Sequence, residues 1–215
     1  MQTMQVTVGP IAAASANNIC ASQTPTSSLT INGALASGGV ATLDVQRRVL
    51  ITTAADESAK TFTVTGTNWA GNTISQTITG PNATTGATTI SFKTVTSITI
   101  SAAAAGAVTV GTNGVADSPW VRFDDFAPNY VSAACTVTGT ANWTIQITLD
   151  DPNDPATPVE AGSMTFQNAI DTNLVGQAAA NRGGLQYAPT FARVVLNSGS
   201  GSVRGTFLQS SNGPI

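Results

Sequence analysis

FTVTGTNWAGNTISQTITG, residues 62–80, reads as two strands joined by a tight turn. Phe62 and Val64 fall on one face of the first strand, and Ile74 and Ile78 share one face of the second. Thr fills most alternate positions, and Gly71-Asn72 supplies the turn chemistry. Val, Ile and Thr carry two heavy atoms on Cβ, which stiffens χ1 and favours a pleated, half-buried surface over a helix. The hairpin sets the expectation of an all-β fold.

The same wording returns at residues 135–151, CTVTGTANWTIQITLDD. Both stretches carry Val-Thr-Gly-Thr and then Asn-Trp, but the letters fall in different places. Trp69 precedes the turn glycine. Trp143 begins a returning strand, in phase with Ile145, Ile147 and Leu149 and opposite Thr144, Gln146 and Thr148. That alternation predicts one buried face and assigns Trp143 to the core. Trp69 is left at a hairpin tip as a candidate protein contact. The echo is read as two hairpins built from one narrow palette, rather than a duplication or a shared ligand motif.

Working outward, residues 28–36, 39–45 and 47–53 show strand-type alternation with glycine breaks. Residues 94–101 and 106–112 form a further pair around AAAAG, a link too short to stand alone as a helix. Residues 120–126 resume as a strand, and 191–197 and 202–209 flank the flexible tip SGSG. Gly, Asn, Asp and Pro cluster at 111–119 and suggest a boundary. The expected architecture is two small β-sandwich domains, immunoglobulin-like or jelly-roll-like, over residues 29–116 and 117–215. Residues 1–28 lack periodicity and are expected to be an extended arm that orders against a partner. Residues 151–189 read as a long loop, with a helical turn suggested at NLVGQAAAN. This loop and the arm are the expected contact surfaces.

Composition narrows the chemistry. Hydrophobic residues make up 41% of the 215, enough for a core, and charged residues only 9%, against about 25% in an ordinary domain. The net charge is -3 with 8 basic residues. No Lys/Arg cluster is present to neutralise phosphates, so nucleic acid is not an expected partner. The chain has no histidine, which removes the Ser-His-Asp triad, the Cys-His dyad and the His-type zinc site. Cys20 and Cys135 are far apart and are expected to be free thiols. No run approaches the roughly 20 apolar residues of a membrane span, so no membrane partner is expected. The first residues lack a basic cluster before a short apolar patch broken at Gly9-Pro10. They read as an uncleaved arm rather than a signal peptide, with folding in a cytoplasm.

The acidic residues are the first candidates for a site. Asp124-Asp125 and DDPNDP at 150–155 concentrate carboxylates. Asp150, Asp151 and Asp154 are cation candidates, because Ca²⁺ takes six to eight oxygens. Their spacing is not that of an EF-hand, and Asp and Asn beside Pro are also ordinary turn residues. Glycoside hydrolysis needs two facing carboxylates. Nothing in the sequence sets Asp125 opposite Asp150, and aromatic residues are 6% of the chain and scattered. The chain is therefore not expected to be an enzyme, and no cofactor is implied. Arg47-Arg48, the longest basic run, joins Trp69 as an interface candidate. Arg193 and Arg204, in the last two strands, read as strand-edge or interface charges.

Residues 51–114, from ITTAADESAKTFTVTGTNWAGN through TITGPN and FKTVTSIT to VGTNG, resemble a segment of virion structural proteins of tailed bacteriophages. VTGTANWTIQITLDDPNDP and PTFARVVLNSGSGSVRGTFLQ look like the end of such proteins, so the similarity spans residues 47–209. It brings no catalytic residues with it. It implies a virion component, most like the capsid decoration (cement) proteins, which bind the shell of major capsid protein and hold neighbouring capsomers together. The implied partners are the major capsid protein and further copies of the chain, with a homotrimer suiting three-fold positions. The implied location is the capsid exterior. Tail, collar or head-fibre proteins with a receptor- or glycan-binding β module are the alternative within the class.

Overall fold

The computed structural model describes residues 2–124, 131–151, 156, 159–160, 162–185 and 189–209. Its strands in chain order are β1 (Gln2–Val8), β2 (Ser15–Gln23), β3 (Ala36–Ser37), β4 (Val40–Thr53), β5 (Thr61–Thr67), β6 (Thr73–Thr79), β7 (Thr85–Ile100) and β8 (Val108–Asp117). They continue with β9 (Val121–Arg122), β10 (Val131–Thr138), β11 (Ala141–Thr148), β12 (Gln167–Asn168), β13 (Asn181–Leu185), β14 (Phe191–Gly199) and β15 (Ser202–Gln209). Among the described residues the only helical element is the 3₁₀ turn Thr172–Leu174. The protein is all-β, with antiparallel sheets packed in a sandwich-like manner.

The chain divides into an inserted unit, residues 12–114, and a discontinuous unit, residues 1–11 with 115–215. The division falls inside β8, where the sequence suggested a pause. The run GTNGVAD therefore stays extended, its Asn and Gly notwithstanding.

The inserted unit is a sheet of order β8-β4-β7-β5-β6, with β2 on β8 and β3 on β4. Its inner face follows from period-two alternation: Leu43, Val49, Ile51, Phe62, Val64, Val95 and Ile98 are all buried. Strands β4 and β7 are long, and their register shifts between Thr42 and Arg47 and again between Arg48 and Leu50. Such shifts bend a strand. β6 also meets the start of β7, where Gln76 completes the contact. Its Oε1 accepts from the N–H of Thr89 at 2.9 Å and of Ile90 at 3.1 Å. Gly66 sits at a further register shift, between β5 and β7, where a Cβ would lie 1.9 Å from the Thr94 carbonyl oxygen. Only glycine permits that approach.

The discontinuous unit has one sheet of order β1-β15-β10-β13. Facing it is a second layer in which β11 lies between β12 and β14, with β9 and the end of β8 beside β14. The layers interlock. Phe123 meets Phe207 edge-on with centroids 5.8 Å apart, and a Cβ on Gly205 of β15 would lie 2.5 Å from Val194 Cγ2 of β14. Trp143, Ile145, Val194, Leu196, Val203 and Phe207 fill the space between. Trp143 is fully buried as the alternation predicts, and its indole Nε1 donates to the Ala179 carbonyl at 3.0 Å. Leu149, expected on the same face, lies past the end of β11 and is exposed, while Thr144, Gln146 and Thr148, expected on an open face, are buried too, so β11 is covered on both sides.

Two segments differ from their sequence reading. Residues 1–28 were expected as an aperiodic arm, yet β1 pairs with β15 and β2 with β8. The reason is a short alternation, with Thr3, Gln5 and Thr7 outward and Val8 inward, inside a segment whose overall composition is loop-like. The 151–189 excursion carries β12, the 3₁₀ turn and β13 in its described part, and is pinned by the reciprocal Trp143–Gln177 backbone bonds of 2.8 and 2.9 Å. Elements of two to five residues are too short to show periodicity. No helical turn forms at 173–181 beyond the single 3₁₀ turn.

Candidate functional site

The tip joining β5 to β6 is built on Asn68. Its side-chain Oδ1 accepts from the N–H of Ala70 at 2.9 Å and of Asn72 at 3.0 Å. Its backbone exchanges bonds with Asn72 and Gly71, and Gly71 takes φ +83. This self-bonding is what Asn offers a turn. It lifts Trp69 to the outside, where the residue is 37% exposed.

Trp69 does not swing free. Its backbone N–H donates to Gln46 Oε1 at 2.8 Å, and Gln46 is itself buried. Lys93 on β7 sets its ammonium 4.7 Å from the centre of the indole ring. The same ammonium donates to the carbonyls of Leu43 at 2.6 Å and Asp44 at 2.9 Å. The cation is thus fixed from β4 and presented to the ring face, where the aromatic quadrupole attracts it.

Asp44 braces this corner. Its carboxylate accepts from the Ala12 N–H at 2.7 Å and from Arg47 Nη1 at 3.3 Å. Burial pushes the Asp44 carboxyl up, but the N–H groups of Ala12 and Val45 and the charge of Arg47 outweigh it and hold it below the usual value.

Arg47, expected at an interface, is corrected by its burial: it is 1% exposed. Its guanidinium bonds Asp44 and the Asn113 carbonyl, through Nε at 3.2 Å and through Nη2. The register shift after Thr42 turns this position inward, and a buried guanidinium then needs those acceptors. Arg48 is half-buried opposite Ser91, and its Nε has no hydrogen-bond partner among the described residues.

The acidic candidates are engaged locally. Asp150 Oδ2 accepts from the N–H of Thr165 at 2.5 Å and from its hydroxyl at 2.7 Å. Asp151 pairs with Arg122 at 2.8 Å. Asp154 and Asp125 lie outside the described residues. Among the described residues no group of three or more His, Cys, Asp or Glu is placed to hold a metal ion. Cys20 and Cys135 are free and buried.

One cluster escaped the sequence reading. Arg193, expected as a strand-edge or interface charge, is 3% exposed in β14. Its Nη1 lies 2.7 Å from Asp117 Oδ2, and its Nε and Nη2 donate to Gln146 Oε1 at 3.1 and 2.8 Å. Trp120 and Phe166 stack on the guanidinium at 4.4 and 4.6 Å. The signal was present in FARVVLN: a charge inside an apolar run must find a partner, and GVADSPW holds one acid beside a tryptophan. The cluster locks the discontinuous unit and offers little surface, so the exposed tip at Trp69 is the candidate site. Compared with known family models and with curated proteins, the chain matches none.

Proposed function

We propose that this chain is a structural component of a tailed-phage virion, a decoration protein that binds the outer shell of major capsid protein and stabilises it. The observation that carries this reading is the fixed tip, with Trp69 outward and held at its backbone by Gln46 and at its ring by Lys93. Interface energy concentrates in a few large anchors, tryptophan foremost, and an anchor already held in place loses little freedom on docking. The adjoining face adds area. Thr73, Ser75, Thr77 and Thr79 are exposed along β6. Thr63–Thr77 and Thr65–Ser75 hydroxyl pairs of 2.8 and 3.2 Å order the neighbouring rows. Such a surface bonds a neighbour over area rather than at one point, and a lattice multiplies weak contacts through avidity. The resemblance of residues 47–209 to virion proteins supports this reading, and self-association as a trimer belongs to it.

The test is binding of the purified protein to capsid shells that lack it. Saturation in proportion to capsid subunits, weakened by Trp69→Ala, supports decoration. Binding confined to one vertex or to tails moves the chain to the collar, tail or head fibre. That second reading draws on the exposed indole ring, which is also a stacking surface for a sugar. Glycan binding without shell binding selects it.

A further inference from the structure

Strand β1 belongs to the discontinuous unit, yet residues 12–114 separate it in sequence from the rest of that unit. It lies at the edge of its sheet and pairs with β15 alone, from Gln2↔Gln209 to Val8↔Val203.

The β15 edge is shaped for this strand. Gly205 stands opposite Val6, and a Cβ there would lie 3.6 Å from Val6 Cγ2 and 2.5 Å from Val194 Cγ2. The absent side chain leaves the slot beside which Val6 sits. Val8 is buried opposite Val203, and Met4 stands opposite the buried Phe207. Thr3, Gln5 and Thr7 alternate outward. Residues 9–14, which lead away from β1, form no strand.

We propose that the β15 edge is a strand-docking site which the β1 of a second copy occupies in place of the chain's own, so that two copies exchange β1. The occupant is fixed by fit: the alternation of Met4, Val6 and Val8 matches Phe207, Gly205 and Val203 in a single register. The closed and exchanged forms bury the same β1–β15 ladder and differ along residues 9–14, where the closed form buries Ile11 and bonds the Ala12 N–H to Asp44. Exchange of an identical element is therefore a low-cost route to association, governed by concentration. This inference does not rest on the virion reading, since it concerns only the chain and its copies.

The test uses two single-cysteine variants, Gln5→Cys and Thr206→Cys, whose positions face each other in the β1–β15 ladder. Opposed residues of an antiparallel pair sit about 4.5–5.5 Å apart at Cα, within disulfide reach. Neither variant has the partner cysteine in its own chain, so only exchange between copies joins them. Cys20 and Cys135 do not compete, because burial pushes both thiols up to about 12. Mixed at high concentration under mild oxidation, the two variants are expected to give a covalent heterodimer on a non-reducing gel. Gln5→Cys with Arg204→Cys, out of register by two residues, is expected to give none. Absence of the in-register heterodimer, or equal yield from the shifted pair, overturns the proposal. Circular dichroism checks that each variant is folded, and Thr3→Cys with Leu208→Cys replaces the pair if either is not.

Discussion

Lys93 holds its ammonium 4.7 Å from the centre of the Trp69 ring while it donates to the carbonyls of Leu43 and Asp44. The ring is therefore positioned from strands outside the hairpin whose tip carries it. Trp69→Ala gives up the same Lys93 contact, worth about 0.5–1 kcal/mol, so its melting temperature should fall only slightly. Shell binding should weaken by about 30-fold or more, the scale of a hot-spot loss of about 2 kcal/mol. Lys93→Met should lower stability by about 0.5–1 kcal/mol and weaken shell binding less than Trp69→Ala. A Trp69→Ala protein that melts early and binds normally would make the residue a packing element.

The hairpin of residues 62–80 was legible because its alternation is long and its turn residues are specific. Phe62 and Val64 are buried as their phase predicts, and Trp69 is exposed at the hairpin tip. The two Val-Thr-Gly-Thr stretches also part company as expected. Gly66 is a strand residue pressed on the Thr94 carbonyl, whereas Gly139 takes φ +77 in the turn between β10 and β11. What stayed hidden depends on long-range register. Arg47 looked like surface charge because the shift that turns it inward arises between β4 and β7, strands separated by a whole hairpin. Lys93 and Gln46 carry no motif, and they become part of the tip only when three strands are side by side. The β1 strand was masked by averaging its residues with the irregular ones that follow.

Asp44 makes the tip acid-sensitive. Its carboxyl is held below the value it has in the unfolded chain, near 3.9. A depressed folded value means that its stabilisation is fully present above the unfolded value. It is lost as pH falls through that value toward the folded one. Asp44→Asn should therefore lower the melting temperature near neutral pH, and the gap to the parent should narrow as the pH falls below about 4. Melting curves of the two proteins across that range check the sign. A gap that stays constant in acid would show that the ionised carboxylate of Asp44 is not what stabilises this corner.

Arg193 and Asp117 make the opposite kind of pair, both buried and 2.7 Å apart. Taking two charges out of water is costly, and their attraction offsets that cost only while both are present. Asp117→Ala leaves a guanidinium without its carboxylate between Trp120 and Phe166. It should cost about 3–5 kcal/mol, as breaking buried pairs does. Arg193→Met should cost a similar amount, because Asp117 and Gln146 then lose their donor. The double variant removes both charges, so its loss in urea unfolding should fall short of the sum of the single losses by about 0.5–3 kcal/mol. Strict additivity in the cycle would mean that the two residues stabilise the unit through separate neighbours rather than through each other.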